Sequence, residues 1–264
     1  MQANFFDKAA WRPDIDLTTL SASSQLLLLY GALMWLACAL AYLASRKDTR
    51  TLRDVGVWVK PMKFMSATAL FAWTTVWLAE LANPVLTHGQ AYAGICLLLV
   101  TTSFFEVAYI TFQAWRGVAS HYNTSDAWGA VMFGLMALGA VGLTASQGWL
   151  AWEIWQSRAT TSLSVTAWGV ITGLVLTLVL SSVSGFMLGG KQPPVGKGLP
   201  IVGWHLHKDA RPSHFLGVHA QQFIPLWGIV AAQFFDAYAM PALAAGSILY
   251  VLVWGVLAWS SLHD

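Results

Sequence analysis

From Glu106 to Asn123 the chain reads Glu-Val-Ala-Tyr-Ile-Thr-Phe-Gln-Ala-Trp-Arg-Gly-Val-Ala-Ser-His-Tyr-Asn, a stretch that places ionisable and amide side chains inside and just beyond an apolar run. A second stretch, Ser213 to Pro225, reads Ser-His-Phe-Leu-Gly-Val-His-Ala-Gln-Gln-Phe-Ile-Pro and has the same character. Such groups are costly in hydrocarbon and are kept there for pairing or for function. A carboxyl or an imidazole can act as general acid or base, and a guanidinium or ammonium can hold an anionic group.

Helical spacing sorts these residues. Thr102, Glu106, Tyr109, Gln113, Arg116 and Ser120 fall on one face at 3.6 residues per turn. His219, Gln222 and Gln233 share a face, with His214 and Gln221 on a neighbouring one. At about 1.5 Å per residue from Arg116, Glu106 lies about 15 Å deep and Gln113 about 5 Å deep. Counted from Pro212, Gln222 lies about 15 Å deep, His219 about 10 Å and His214 about 3 Å. The matching depths predict pairs: Glu106 with Gln222, Tyr109 or Gln113 with His219, and Arg116 with His214. Lys63, about one turn into its own span, adds a cation at the same mouth. The expectation is a polar pocket between spans two, three and six, open to the cytoplasm. Glu106, His219 and Gln222 are its candidate catalytic residues. Lys63, Tyr109, Gln113, Arg116, His121 and His214 are its candidate substrate-binding residues.

Each has a plainer use. Glu106 paired to an amide would only lock helices together, Lys60, Lys63 and Arg116 can snorkel to lipid phosphate, and His121 and Asn123 lie just past a helix end and can serve a loop. Glu80, near the outer end of span two, can reach water. His205, His207 and Asp209 alternate, so an extended segment projects them to one side near His214. Without cysteine or a defined helical spacing they do not make a metal site, and no metal is assigned. The run from Gly189 to Gly198 lacks the spacing of a phosphate loop, and no Ser or Thr follows Lys197.

The elements that must position these groups are membrane spans. With 57% hydrophobic residues, 10% charged residues and 15 Trp in 264 residues, the chain lacks the polar surface of a soluble globule. A formal charge of +2 offers nothing to nucleic acid. A span needs about 20 apolar residues, and seven runs qualify: about 24–44, 60–82, 90–115, 127–152, 163–188, 213–235 and 240–262. They lack the strict alternation of barrel strands. The predicted fold is therefore all-α, a single bundle of seven transmembrane helices over residues 24–264, preceded by an interfacial segment, 1–23. That segment is no signal peptide, because Asp7, Lys8, Arg12, Asp14 and Asp16 interrupt it; Phe5, Phe6 and Trp11 suit an interface. Cys38 and Cys96 sit in apolar runs and read as packing residues.

Eleven of the 14 Lys and Arg residues fall in or beside the first, third and fifth connections, which predicts an outside N-terminus and a cytoplasmic C-terminus. Gly169-x-x-x-Gly173, and Ala130-x-x-x-Gly134 with Gly139 and Gly142, let backbones approach, within the bundle or across a homodimer. Pro225 lies inside span six, where it frees a carbonyl and bends the helix. No repeat relates spans one to three with five to seven.

Arg116-Gly-x-x-Ser-His-Tyr-Asn123 together with His214-Phe-x-Gly-x-His219-x-x-Gln222-x-x-Pro225 resembles a family of uncharacterised bacterial multi-pass membrane proteins. The resemblance implies the bacterial inner membrane and carries no activity. Span seven has no lysine, so a retinal Schiff base is excluded. Three functions remain beside that of a sensor, chaperone or assembly subunit whose polar residues are structural. The first is an intramembrane enzyme acting on a lipid or other amphiphile, with Glu106 or His219 as base and Arg116 and Lys63 on an anionic head group. The second is a proton-coupled transporter or channel using Glu106, with span six moving about Pro225. The third is a b-type haem or quinone protein using His219, with His121 or His214 as a second ligand. Membrane lipids and a small anionic or amphiphilic substrate are the expected partners; the cofactor is left open.

Overall fold

The computed structural model describes residues 18–124, 126–157, 163–195, 198–199 and 203–263. Seven long helices account for most of them: α1 (Ala22–Ser45), α2 (Val59–Ala82), α3 (Gln90–Arg116), α4 (Ala127–Gln156), α5 (Val165–Gly190), α6 (Arg211–Phe234) and α7 (Ala239–Leu262). The segment up to residue 17, expected at the interface, lies outside the described residues.

Local chemistry sets several of the helix ends. Ser21, Asp126 and Ser164 accept from the N–H groups of Ser24, Gly129 and Ala167 at 3.1, 2.6 and 3.1 Å, capping α1, α4 and α5. Pro212 sits in the first turn of α6, where its missing N–H leaves no bond unmade. Gly117, at φ +72°, closes α3, and the Val118 N–H returns to the Gln113 carbonyl at 2.9 Å. The only strands among the described residues, β1 (Thr51–Leu52) and β2 (Val55–Gly56), form a small antiparallel hairpin in the first connection.

The burial pattern is the inverse of a water-soluble protein. Gln113, Gln147, Gln221 and Ser184 are at most 1% exposed, while Leu138, Phe186 and Val256 are about 70% exposed on the outside. All seven helices are long and apolar enough to cross a bilayer. Polar groups inside and apolar groups outside are what a lipid solvent requires, so the chain is an integral, multi-pass membrane protein.

α2 packs against α1, α3, α4, α5 and α6, and α3 and α6 share no packed seam. The tightest pair is α5 with α6. Gly169 on α5 lies against Gly228 on α6, Gly173 lies against Pro225 and the Ala220 carbonyl, and Gly217 lies against the backbone of Leu180 and Ser181. The predicted Gly169-x-x-x-Gly173 motif is therefore used inside the bundle. Gly139 and Gly142 of α4 face Glu106 and Thr102 of α3, whereas Gly134 faces open space.

Three tryptophans fill glycine notches on neighbouring helices. Trp73 of α2 lies against Gly31 of α1 and donates to the Leu28 carbonyl at 3.0 Å. Trp149 of α4 lies against Gly94 of α3. Trp227 of α6 lies against Gly246 of α7 and donates to the Ala242 carbonyl at 2.8 Å.

The end of the bundle that carries most of the basic residues is tied together across its connections. Arg50 donates to the Trp115 carbonyl at 3.1 Å, Arg53 to Pro193 at 2.7 Å, and the Lys208 N–H to Ser260 at 3.1 Å. Tyr122 donates to the Leu188 carbonyl.

Candidate functional site

Two polar centres lie beside α2. The first joins α2 to α6. Gln222 Nε2 donates to Thr74 Oγ1 at 3.1 Å, and Gln222 Oε1 lies 3.2 Å from His219 Nδ1. With the amide oriented in this way, its oxygen accepts, so Nδ1 of the neutral ring carries the hydrogen and Nε2 keeps a lone pair. His219 packs against Phe215 with ring centroids 4.2 Å apart and planes inclined by 47°, and is half-buried, not enclosed. Phe215 and Leu226, on the same side of α6, are 38% and 50% exposed. Lys63 lies on the Thr74 face of α2, three turns nearer the basic end, and its charge and that of Arg211 act on each other.

The second centre joins α2, α3 and the connection after α3. Glu106 is only 7% exposed, and its Oε1 has no hydrogen-bond partner among the described residues. Gly139 of α4 covers one side, and the charge of Lys60 reaches it from α2. The Lys60 ammonium donates to Ser120 Oγ at 3.0 Å, lies 5.7 Å from the centre of the Phe64 ring, and so is held toward the α3–α4 connection. Ser120 Oγ is 3.2 Å from His121 Nδ1. His121 sits between Phe64 and Phe133, at 6.2 and 6.0 Å. Burial, and then the charge of Lys60, push its imidazole down to about 3.

The remaining candidate residues bind elsewhere. Gln113 Nε2 donates to Tyr109 OH at 2.8 Å, and Arg116 reaches Gln113 Oε1 at 3.3 Å while lying over Phe112 at 5.5 Å. This chain stays on α3. His214 Nδ1 is 3.2 Å from Ser184 Oγ on α5. Gln221 is fully buried in the α5–α6 seam, where its backbone N–H donates to Thr177 Oγ1 at 2.8 Å and its side-chain amide has no partner among the described residues.

The depth-matched pairs are therefore not formed. Gln222 bonds Thr74 in place of Glu106, His219 bonds Gln222 in place of Tyr109 or Gln113, and His214 bonds Ser184 in place of Arg116. The physical reason is packing: α2 takes the position next to α6 that the pairing assigned to α3. Asp209 does not face outward with His205 and His207. Its carboxylate accepts from Arg211 at 2.6 Å and from the His205 N–H at 2.8 Å.

Residues that sequence spacing did not single out complete both centres. Thr74 is an ordinary residue for an apolar helix and gave no signal of its own. Tyr30 of α1 bonds Ser103 of α3 at 2.8 Å, one turn from Glu106, and Ser24 of α1 lies 3.3 Å from Glu80 and 3.4 Å from Tyr92. Gln147, an amide deep in an apolar span, was legible as unusual; it lies 3.4 Å from Thr75 and 3.0 Å from Ser146. No family model, curated protein or solved structure matches the chain.

Proposed function

We propose that the protein is an intramembrane enzyme of the bacterial inner membrane, its basic end in the cytoplasm, acting on a lipid or other amphiphile with an anionic head group. The observation that carries this reading is the Thr74–Gln222–His219 chain on a half-buried side of α6. An amide that accepts from Nδ1–H leaves Nε2 as the basic nitrogen, the arrangement a general base needs. Thr74 in turn holds the amide, so the imidazole is oriented by two successive bonds.

Location supplies the substrate class. His219 lies about 12 Å along α6 from Arg211, roughly where head group gives way to acyl chain. Phe215 and Leu226 beside it are exposed to the bilayer, so an amphiphile can approach sideways with its tail still in lipid. Lys63 and Arg211 stand at the mouth above; Arg211 is paired with Asp209, so Lys63 is the cation that suits a phosphate or carboxylate there. His219 removes a proton from a water or substrate hydroxyl, and Lys63 holds the anionic group. Glu106, Tyr109, Gln113, Arg116, His121 and His214 fall outside this centre.

The test is a comparison of membrane lipids from cells expressing the wild type, His219→Ala or Gln222→Leu at matched levels. A lipid species consumed or formed with the wild type and restored to background by both variants is expected. Identical lipid profiles in wild type and His219→Ala would sink the reading.

A further inference from the structure

Glu106 takes no part in the His219 centre, yet it is the most deeply placed ionisable group of the α1–α4 side. About 15 Å separates it along α3 from Arg116 and about 24 Å from Gln90. Its Oε1 has no hydrogen-bond donor among the described residues, and the charge of Lys60 reaches it from α2. The titratable groups that act on it are Lys60 from α2 and Tyr30 from α1, and Gly139 of α4 lies against its Oε1.

Polar groups continue from Glu106 toward both ends. Toward the basic end stand Lys60, Ser120 and His121, joined at 3.0 and 3.2 Å. Toward the other end, Ser103 lies one turn away and shares a 2.8 Å hydrogen bond with Tyr30. Beyond it, Tyr92 is in side-chain contact with Cys96 and lies 3.4 Å from Ser24, whose hydroxyl reaches Glu80 at 3.3 Å. Glu80 is half-buried, two residues from the end of α2. From Lys60 to Glu80 this runs about 30 Å along α2, the thickness of the hydrocarbon layer. Between the levels of Tyr30 and Ser24, about 9 Å apart, the packed side chains of Leu27, Ile95 and Leu99 intervene, so a proton crosses this interval on water that enters as they move aside.

We propose that the α1–α4 side conducts protons between the two ends of the bundle, with Glu106 as the mid-membrane carrier. A proton enters at the His121–Ser120–Lys60 cluster and protonates the Glu106 carboxylate. Glu106 then releases it toward the Ser103–Tyr30 hydroxyl pair, each hydroxyl accepting one proton while donating another. Glu80 delivers it to water. No bond other than O–H or N–H changes, and a pH or potential difference drives the flow. This activity does not depend on the His219 reading.

The experiment uses the full chain reconstituted in phosphatidylcholine–phosphatidylglycerol vesicles that enclose a pH-sensitive dye, with a potassium gradient and valinomycin setting the potential. Wild type should move protons faster than protein-free vesicles, Glu106→Gln should fall to the protein-free rate, and Tyr30→Phe should lie between. His219→Ala should keep the wild-type rate, which separates this path from the lipid site. Should Glu106→Gln fail to elute as a folded monodisperse species, Glu106→Asp and a Tyr30→Phe, Ser103→Ala double variant carry the test, each expected to slow the flux. Wild-type flux no faster than protein-free vesicles overturns the proposal, as does a folded carboxyl or hydroxyl variant that conducts at the wild-type rate.

Discussion

Gly217→Ala tests the α5–α6 seam on which the His219 centre stands. A Cβ at Gly217 would lie 2.7 Å from the Ser181 nitrogen and 2.8 Å from the Leu180 carbonyl carbon, against 3.4 Å for an ordinary contact. All of these are backbone atoms of α5, so no side chain can swing aside. α6 must withdraw by about 0.7 Å, the shortfall in that contact, and overpacking of this kind costs about 1–3 kcal/mol. The helical preference of Ala over Gly works the other way by about 1 kcal/mol. The sign of the result therefore reports whether the seam is as tight as described. Reversible unfolding in mixed micelles titrated with SDS measures it. Because only rigid backbone stands in the way, the cost falls at the upper end of that range, and the variant should lose about 2 kcal/mol net. Gly134→Ala, facing open space on α4, should be neutral or stabilising. A Gly217→Ala protein as stable as the wild type would refute the packing argument.

Three further outcomes follow from particular contacts. Thr74→Val removes the acceptor that holds the Gln222 amide, so imidazole 15N shifts should show His219 losing its preference for the Nδ1–H tautomer; unchanged shifts would contradict the oriented chain. At Asp209, burial raises the carboxyl, but bonds from Arg211 and from the His205 N–H outweigh it and leave it below its ordinary value. Asp209→Asn should cost about 1–2 kcal/mol near neutral pH, and this gap in unfolding free energy should close as pH falls below about 4, where the wild type loses the depressed-carboxylate contribution. His121 binds its proton at about 3 when folded but near 6.5 when unfolded, so wild-type stability is full above that range and falls as pH drops through it. His121→Gln should flatten this slope in thermal melts between about pH 7.5 and about pH 5, and equal slopes would show the imidazole is not buried as described.

The spans were legible because a bilayer imposes length and apolarity on every crossing segment, whatever its neighbours. The residual differences are local. α6 starts at Arg211 because Pro212 fits a first turn, and α4 continues to Gln156 through aromatic residues that tolerate the interface. The polar centres were legible only in part. Counting residues along a helix gives depth, which sets the levels of Glu106, Gln222 and His219 on their own helices. It gives no azimuth and no adjacency, and both decide which side chains touch. The Glu106–Gln222 pair failed on adjacency, since α2 packs beside α6. Thr74 was invisible for a different reason: a threonine in an apolar helix usually satisfies itself on its own backbone, and only the approach of Gln222 makes it a partner.

The tryptophan notches bear on how the chain is made. Trp73 in Gly31, Trp149 in Gly94 and Trp227 in Gly246 each join two helices that are consecutive in sequence. An indole seated in a notch blocks sliding along the helix axis, and for Trp73 and Trp227 a bond to a backbone carbonyl fixes the depth as well. Register within each hairpin can thus be set as soon as its second helix leaves the ribosome, before any distant helix exists. α2 emerges locked to α1, and α4 to α3, leaving α5 and α6 to close their glycine seam afterwards. The order of synthesis becomes an order of assembly, and the late step is the one that brings α6, with His219, against α2.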